Sequence, residues 1–368
     1  MPRQVLSVAI TFLFLFKAGC SGGLDIKERP DIITEFARAD SMIESLARKF
    51  KVPGVSFVVI SENEIVHSKN FGVADIRTGG PVTDSTMFEA CSMSKPVFSY
   101  IALKQIETGK LEPDEPVWTI YDDPAFMGQE LRKSITPRML LSHTSGLPNW
   151  RPGEDEENSY LPVEFTPGLK FSYSGEGMYY LQKVVEKITG VTLDEYARKT
   201  IFEQLGARHS SFVYKEEFGD NIAAGHDERG NYLKKTNYLR ANAGYSLYCS
   251  AHDFALFLIE IMKRNRSGEY SLSKQTIETM LSRQIKAETR EPVKRPGDTN
   301  GIETFRGLGW AIDSTLSGDI YYHGGANSSG FRCYSQFNPR EGSGAVIMTN
   351  GLGGTDLWEE VIKTTSFP

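Results

Sequence analysis

Cys91-Ser92-Met93-Ser94-Lys95-Pro96 is the stretch from which the rest of the chain is best read. It sets a serine and a lysine three residues apart where a helix begins. On a helix, residues i and i+3 share a face about one turn apart, so the Ser92 hydroxyl and the Lys95 amine come within hydrogen-bond reach. A serine hydroxyl is a weak nucleophile until such a neighbour takes its proton. Pro96 fits only a first helical turn, where the backbone N–H would have no intrahelical partner. Val97, Phe98, Ile101, Ala102 and Ile106 continue at helical spacing, and Gly109 supplies a stop. The pattern predicts a helix from about Ser92, with the serine at the positive end of its dipole.

Serine and lysine are common, and a chain of this length holds about one or two Ser-x-x-Lys strings by chance. A second one is present, Ser271-Leu272-Ser273-Lys274. It comes after the polar run Lys263-Arg264-Asn265-Arg266-Ser267-Gly268 and leads into Ile277, Met280 and Leu281. There a serine reads as an ordinary helix N-cap. The first string is set apart by two elements further along the chain. Tyr173-Ser174-Gly175 comes after the Phe165-Thr166-Pro167-Gly168 turn, and His323-Gly324-Gly325-Ala326 comes after the apolar Ile320-Tyr321-Tyr322.

Phe88-Glu89-Ala90-Cys91-Ser92-Met93-Ser94-Lys95, succeeded in order by those two elements, resembles the three-part site of the serine β-lactamase and penicillin-binding-protein superfamily. The likeness is to its class C, D-peptidase and esterase branch. It runs from about residue 35 to the end of the chain. Leu140 to Leu147 and Ala243 to Tyr248 resemble loops of the same branch and read as scaffold. The resemblance implies acyl transfer through Ser92 to a small-molecule or peptide substrate, with no metal or organic cofactor. Lys95 or Tyr173 would take the proton. His323 would line the opposite wall on an edge strand. The backbone N–H groups of Ser92 and Ala326 would form an oxyanion hole, with Gly324 and Gly325 letting the strand approach closely. One departure stands out: Gly175 occupies a position where many relatives carry asparagine. The amide that would hold a β-lactam or peptide side-chain carbonyl is therefore missing. Three readings remain open: an ester- or amide-cleaving hydrolase of the carboxylesterase or D-amino-acid-peptidase kind, a true β-lactamase or penicillin-binding protein, and a non-catalytic binding protein of the same fold.

Composition narrows the alternatives. With 40% hydrophobic and 24% charged residues, the 368-residue chain can bury a large core, and a net charge of −6 without a basic run makes nucleic acid an unsuitable partner. The six histidines, His67, His143, His209, His226, His252 and His323, show no metal-ligand spacing. No Gly-x-Ser-x-Gly closes a strand and opens a helix, as an α/β-hydrolase requires. Beyond Cys20 the cysteines are Cys91, Cys249 and Cys333, an odd remainder that argues against a disulfide framework; Cys91 reads as a buried structural thiol.

Residues 1–19 read as a secretory signal, with Arg3, an apolar run from Val5 to Phe16 and small residues after it. Cys20 before Ser21-Gly22-Gly23 resembles a bacterial lipid-attachment cysteine, although Lys17 stands where an apolar residue is expected. Residues 20–30 would be a tether to the envelope membrane. The expectation is an exported protein, periplasmic or lipid-anchored.

The remainder, 31–368, reads as one α+β (α/β) domain of β-lactamase-like type. An amphipathic helix carries Phe36, Ala39, Ile43, Leu46 and Phe50, and a hairpin joins Val55–Ile60 to Glu64–Phe71 across Glu62-Asn63. Trp310–Asp313, Ile320–His323, Phe331–Phe337 and Ala345–Thr349 read as strands, and Asp356–Ile362 as a closing helix. The pattern predicts an antiparallel sheet built from both chain ends, about 31–80 and 305–368, with flanking helices and a mainly helical region, about 81–304, inserted between them. Within the insert, Met178–Ile188 reads as a helix, and Thr192-x-x-Glu195 and Ser250-x-x-Asp253 read as helix starts. The acidic run Glu154-Asp155-Glu156-Glu157 reads as solvated loop.

Overall fold

Gly54–Ser61 (β1) and Glu64–Asp75 (β2) form the hairpin read from the sequence. Its connection, Glu62-Asn63, holds both residues at left-handed φ, +53° and +64°. Two such residues give a turn whose twist matches that of the strands it joins. The structure, a computed structural model, describes residues 30–151, 160–287, 295, 302–315 and 318–365. The leader, Cys20 and the run Glu154–Glu157 lie outside the described residues. Among the described residues, no helix is long and apolar enough to cross a membrane.

The later strands are, in chain order, Gly80–Pro81 (β3), Phe88–Glu89 (β4), Ser210–Ser211 (β5), Gly225–His226 (β6), Tyr232–Lys234 (β7), Tyr248–Cys249 (β8), Ile285–Lys286 (β9), Glu303–Arg306 (β10), Ala311–Thr315 (β11), Gly318–Ala326 (β12), Arg332–Asn338 (β13) and Ser343–Thr349 (β14). The helices are Pro30–Lys49 (α1), Ser94–Glu107 (α2), Pro137–Leu141 (α3), Gly175–Thr189 (α4), Leu193–Ala197 (α5), Glu203–Leu205 (α6), Ala251–Met262 (α7), Lys274–Leu281 (α8) and Gly354–Thr364 (α9). One antiparallel sheet runs β3-β2-β1-β14-β13-β12-β11-β10-β9. The two chain ends meet at its middle, where Val55 to Ile60 of β1 pair with Thr349 to Gly344 of β14. The sheet also takes in β9, upstream of about residue 305, and β10, which straddles that position. Both are short, and neither shows a clear alternation.

Side-chain alternation divides the interior. Val55, Phe57 and Val59 of β1 and Ala345 and Ile347 of β14 face a layer formed by α1 and α9, with Phe36, Ile43, Leu357 and Trp358. Val58, Ile60, Val346 and Met348 face the other way, into the larger core under the inserted helices. Both faces of the central strands are covered, so β1 reads as a continuous apolar run rather than an alternating one.

α2 lies in that larger core. It opens as a 3₁₀ turn over Cys91–Met93 and becomes α-helical at Ser94, two residues later than the sequence pattern suggests. Every residue from Ser94 to Leu103 is buried. Its apolar spacing is thus one part of a helix with no solvated face. Thr192 and Ser250 cap α5 and α7 as read, accepting from the N–H of Glu195 and Asp253. In the second Ser-x-x-Lys string the cap of α8 is Ser273, not Ser271. Ser271 Oγ instead accepts from Lys263, and Lys274 is exposed.

The ring of Trp358 stacks on Tyr334 at 4.3 Å and 12°, joining α9 to the sheet while only 4% exposed. Trp358→Ala removes that contact, and urea unfolding should show a loss of about 3–5 kcal/mol.

Candidate active site

The nucleophile segment is held by a second, small sheet. β4 pairs with β8, Glu89 opposite Tyr248, and the Ala90 N–H donates to Leu247 O at 2.8 Å. Ser94 Oγ then donates to Cys91 O at 2.6 Å and accepts from the Leu247 N–H at 3.0 Å. The second serine of the motif therefore ties the turn to β8. Cys91 takes a left-handed φ of +52°, which costs a residue with a Cβ about 1–2 kcal/mol. Strain of this kind collects at functional sites. It leaves Ser92 partly exposed between the buried Cys91 and Met93.

Lys95 is fully buried. Its Nζ donates to Ser92 Oγ at 3.1 Å and to Gly244 O at 2.7 Å. Among the described residues no carboxylate lies within ion-pair distance of it. The Ala243–Tyr248 loop, read from the sequence as scaffold, thus supplies a site group through its backbone. Cys91 is buried as expected, and burial pushes its thiol well above the usual cysteine range, so it is no competing nucleophile.

Tyr173 stands just before α4, whose N-cap is Ser174. Its ring lies 4.7 Å from Lys95 Nζ and 4.6 Å from the ring of His143. His143 belongs to the other loop read as scaffold, and holds a φ of +58°. Its Nδ1 accepts the Ser174 N–H at 3.2 Å, so a neutral ring carries its proton on Nε2. A further residue the sequence pattern did not single out is Arg306, whose guanidinium lies 5.8 Å from the Tyr173 ring and 5.0 Å from that of Phe171.

His323 faces the same tyrosine, ring centroids 6.3 Å apart. β12 is an interior strand of the sheet, not an edge strand. Its pairing with β11 stops at Tyr322, however, so His323 to Ala326 run on as a local free edge. His323 Nδ1 donates to Gly324 O at 2.8 Å, which leaves the Nε2 lone pair buried and without a partner among the described residues. Of the two glycines, only Gly325 is required by close approach: a Cβ there would lie 2.2 Å from Ala90 O. At Gly324 a Cβ would meet nothing closer than 3.8 Å. The Gly325 contact seats the end of β12, with Ala326, against the turn that carries Ser92.

Gly175 proves to be the first residue of α4, and the space an asparagine would use there is filled. A Cβ at Gly175 would lie 2.5 Å from the six-membered ring of Trp150 and 2.8 Å from Asn149 O. The centroid of the same indole lies 5.8 Å from Lys95 Nζ. Among the described residues, no group of three His, Cys, Asp or Glu side chains is arranged to hold a metal ion.

Known proteins resemble this chain to differing degrees. The family model described as Beta-lactamase matches residues 39–362. The chain is 25% identical over 345 residues to "Penicillin-binding protein 4" of Amycolatopsis lactamdurans, covering 89% of each chain. It is 28% identical over 206 residues to "Esterase EstB" of Burkholderia gladioli, covering 49% of this chain and 52% of that one. Among solved structures, an octameric penicillin-binding protein homologue from Pyrococcus abyssi superposes with a TM-score of 0.69 at 26% identity, covering 87% of this chain and 74% of the other. A class C beta-lactamase superposes at 0.73 and 19% identity, covering 91% and 96%; at that identity the likeness is one of fold.

Burial, reinforced by the charges of Lys95 and Arg306, holds the pKa of His323 and of His143 well below the usual 6.5. As pH falls through 6.5 the unfolded chain takes up these two protons before the folded one does. Stability is therefore full above that pH and declines below it, by about 1.4 kcal/mol per pH unit for each histidine. Denaturant titrations between pH 7 and 5 should show a shallower decline for His323→Gln than for the parent protein. An unchanged slope would refute the neutral-imidazole assignment.

Proposed function

The chain belongs to the beta-lactamase family of serine hydrolases, and from that premise we propose that it cleaves a small ester or amide through an acyl-enzyme on Ser92. The observation that carries the proposal is the 3.1 Å contact between Lys95 Nζ and a partly exposed Ser92 Oγ, with Lys95 buried and anchored on Gly244 O. To take the serine proton the amine must first give up one of its own; it can then keep an N–H on that carbonyl and turn its lone pair to Ser92 Oγ. Ser92 Oγ would attack the carbonyl carbon, forming a C–O bond as the carbonyl π electrons move to its oxygen and the serine proton passes to Lys95 or, through it, to Tyr173 in its phenolate form. Collapse of the tetrahedral adduct breaks the bond to the leaving group, which departs with that proton. A water molecule then repeats the sequence on the acyl-enzyme, releasing the acid and restoring the Ser92 hydroxyl. Charge on the acyl oxygen would be met by the Ser92 and Ala326 N–H groups. His323 Nε2, a buried acceptor without a partner among the described residues, would receive a hydrogen bond from the substrate.

Two hints bear on the substrate. Histidine rather than lysine at position 323 is the D-peptidase-like choice, and one relative is named a D-aminopeptidase. Glycine at 175, without an amide to hold a side-chain carbonyl, favours esters, and another relative is named an esterase. The filled space beside Gly175 supports the ester reading more directly. β-Lactamase or penicillin-binding activity is the second reading, favoured by the relatives named for penicillin. The leader and Cys20 add export and lipid anchoring to the proposal. Labelled palmitate entering the full-length protein but not a Cys20→Ala variant would support it, and equal labelling would exclude it.

Intact mass after exposure to a fluorophosphonate should show one adduct, absent from Ser92→Ala. Lys95→Met should lower kcat/KM on a p-nitrophenyl ester by about 10²–10⁴-fold. A penicillin adduct that forms as fast as the fluorophosphonate adduct would move the assignment to the second reading.

A further inference from the structure

Trp150 is a large aromatic side chain left 44% exposed, yet the chain on either side of it is fastened down. Asn149 O accepts the N–H groups of Gly175 at 3.0 Å and Glu176 at 3.1 Å, the first free donors of α4. Pro148 O accepts Ser174 Oγ–H at 2.8 Å. On the other side Arg151 forms a buried ion pair with Glu176, its Nη2 2.7 Å and its Nε 3.0 Å from Oε2. Breaking a pair buried to this degree is strongly unfavourable, so the segment 148–151 is bolted to the first turn of α4.

The indole between these anchors enters a slot made by two glycines. A Cβ at Gly175 would lie 2.5 Å from it, and one at Gly244 would lie 3.2 Å from it. The indole makes a T-shaped contact with Tyr245, centroids 5.4 Å apart, and Tyr245 packs in turn against Tyr238 at 5.3 Å. Beside Lys95, whose Nζ lies 5.8 Å from the indole centroid, the chain therefore sets a preorganised aromatic wall, at the position where a Tyr-x-Asn element would present a carboxamide. An exposed, rigid aromatic face contributes binding energy to planar apolar groups at low cost in side-chain entropy, and across that face it presents no donor to an amide oxygen.

We propose that Trp150 is the specificity-determining wall of the acyl subsite and that it selects substrates with a planar apolar acyl group, arylacetyl for example, over small acyl groups and over acyl groups bearing a backbone-like amide. This rests on the serine-hydrolase reading above for its chemistry, but not for the binding it predicts.

The test compares p-nitrophenyl phenylacetate with p-nitrophenyl acetate. The parent protein should prefer the phenylacetate in kcat/KM by about tenfold or more. Trp150→Phe should keep most of that ratio. Trp150→Ala should collapse it toward unity, mainly through KM for the aryl ester. The parent protein should turn over p-nitrophenyl N-acetylglycinate less well than the phenylacetate. Calorimetry on Ser92→Ala protein supplies a readout that needs no turnover: N-(4-nitrophenyl)phenylacetamide should bind at least fivefold tighter than 4-nitroacetanilide, and the difference should vanish with Trp150→Ala. Absence of fluorophosphonate labelling and ester turnover would remove the hydrolase reading, and this binding difference would still decide the wall. Equal affinities, or a preference that survives Trp150→Ala, would overturn it.

Discussion

A lysine buried without a carboxylate partner among the described residues is the constraint that organises this site. Taking an amine out of water is costly unless its hydrogen bonds are replaced. Here the replacements are a hydroxyl one helical turn away and a single backbone carbonyl, Gly244 O. To keep that carbonyl in place the chain builds a small sheet, β4 against β8, and uses the Ser94 hydroxyl to fasten the two. The left-handed Cys91 and the missing side chain of Gly325 answer the same need. One turns the nucleophile outward, and the other lets β12 close over it.

Much of this was legible in the sequence, and the exceptions have physical reasons. The β1–β2 hairpin showed itself because its turn chemistry is local. The sheet strands at the chain ends showed themselves as apolar runs. β9 and β10 did not, being two and four residues long and held mostly by their neighbours. The motif residues Ser92, Lys95, Tyr173 and His323 do converge, and their order along the chain was the signal. The Gly244 carbonyl gave none, since every residue has a carbonyl and only the fold decides which one points at Lys95. His143 was readable as a residue but not as a neighbour of Tyr173, because its place depends on the contact between a loop and the start of α4. Trp150 carried no motif at all. The one clue was negative, a glycine at 175 where an amide was expected.

That glycine illustrates how a departure from a pattern is better understood once its surroundings are known. From sequence, Gly175 is a loss. In the fold it is the complement of Trp150, since neither an asparagine nor any other side chain fits beside that indole. Removing the indole would relieve only part of that crowding, because a Cβ at Gly175 would still lie 2.8 Å from Asn149 O.

The pairing of β1 with β14 has a consequence for how the protein comes to be folded. Val55 finds its partner in Thr349, so the central ladder of the sheet joins residues far apart in the sequence. Contacts this distant in sequence cost loop-closure entropy before they return any stability, and they slow folding. Until β14 arrives, β1 presents an apolar, unpaired edge of the kind that invites association with other chains. A polypeptide emerging N-terminus first carries that edge until Thr349 and its neighbours have followed Val55 off the ribosome. Its yield is thus set by how well the edge is shielded in the interval, a demand that falls on chaperoning rather than on the stability of the finished molecule.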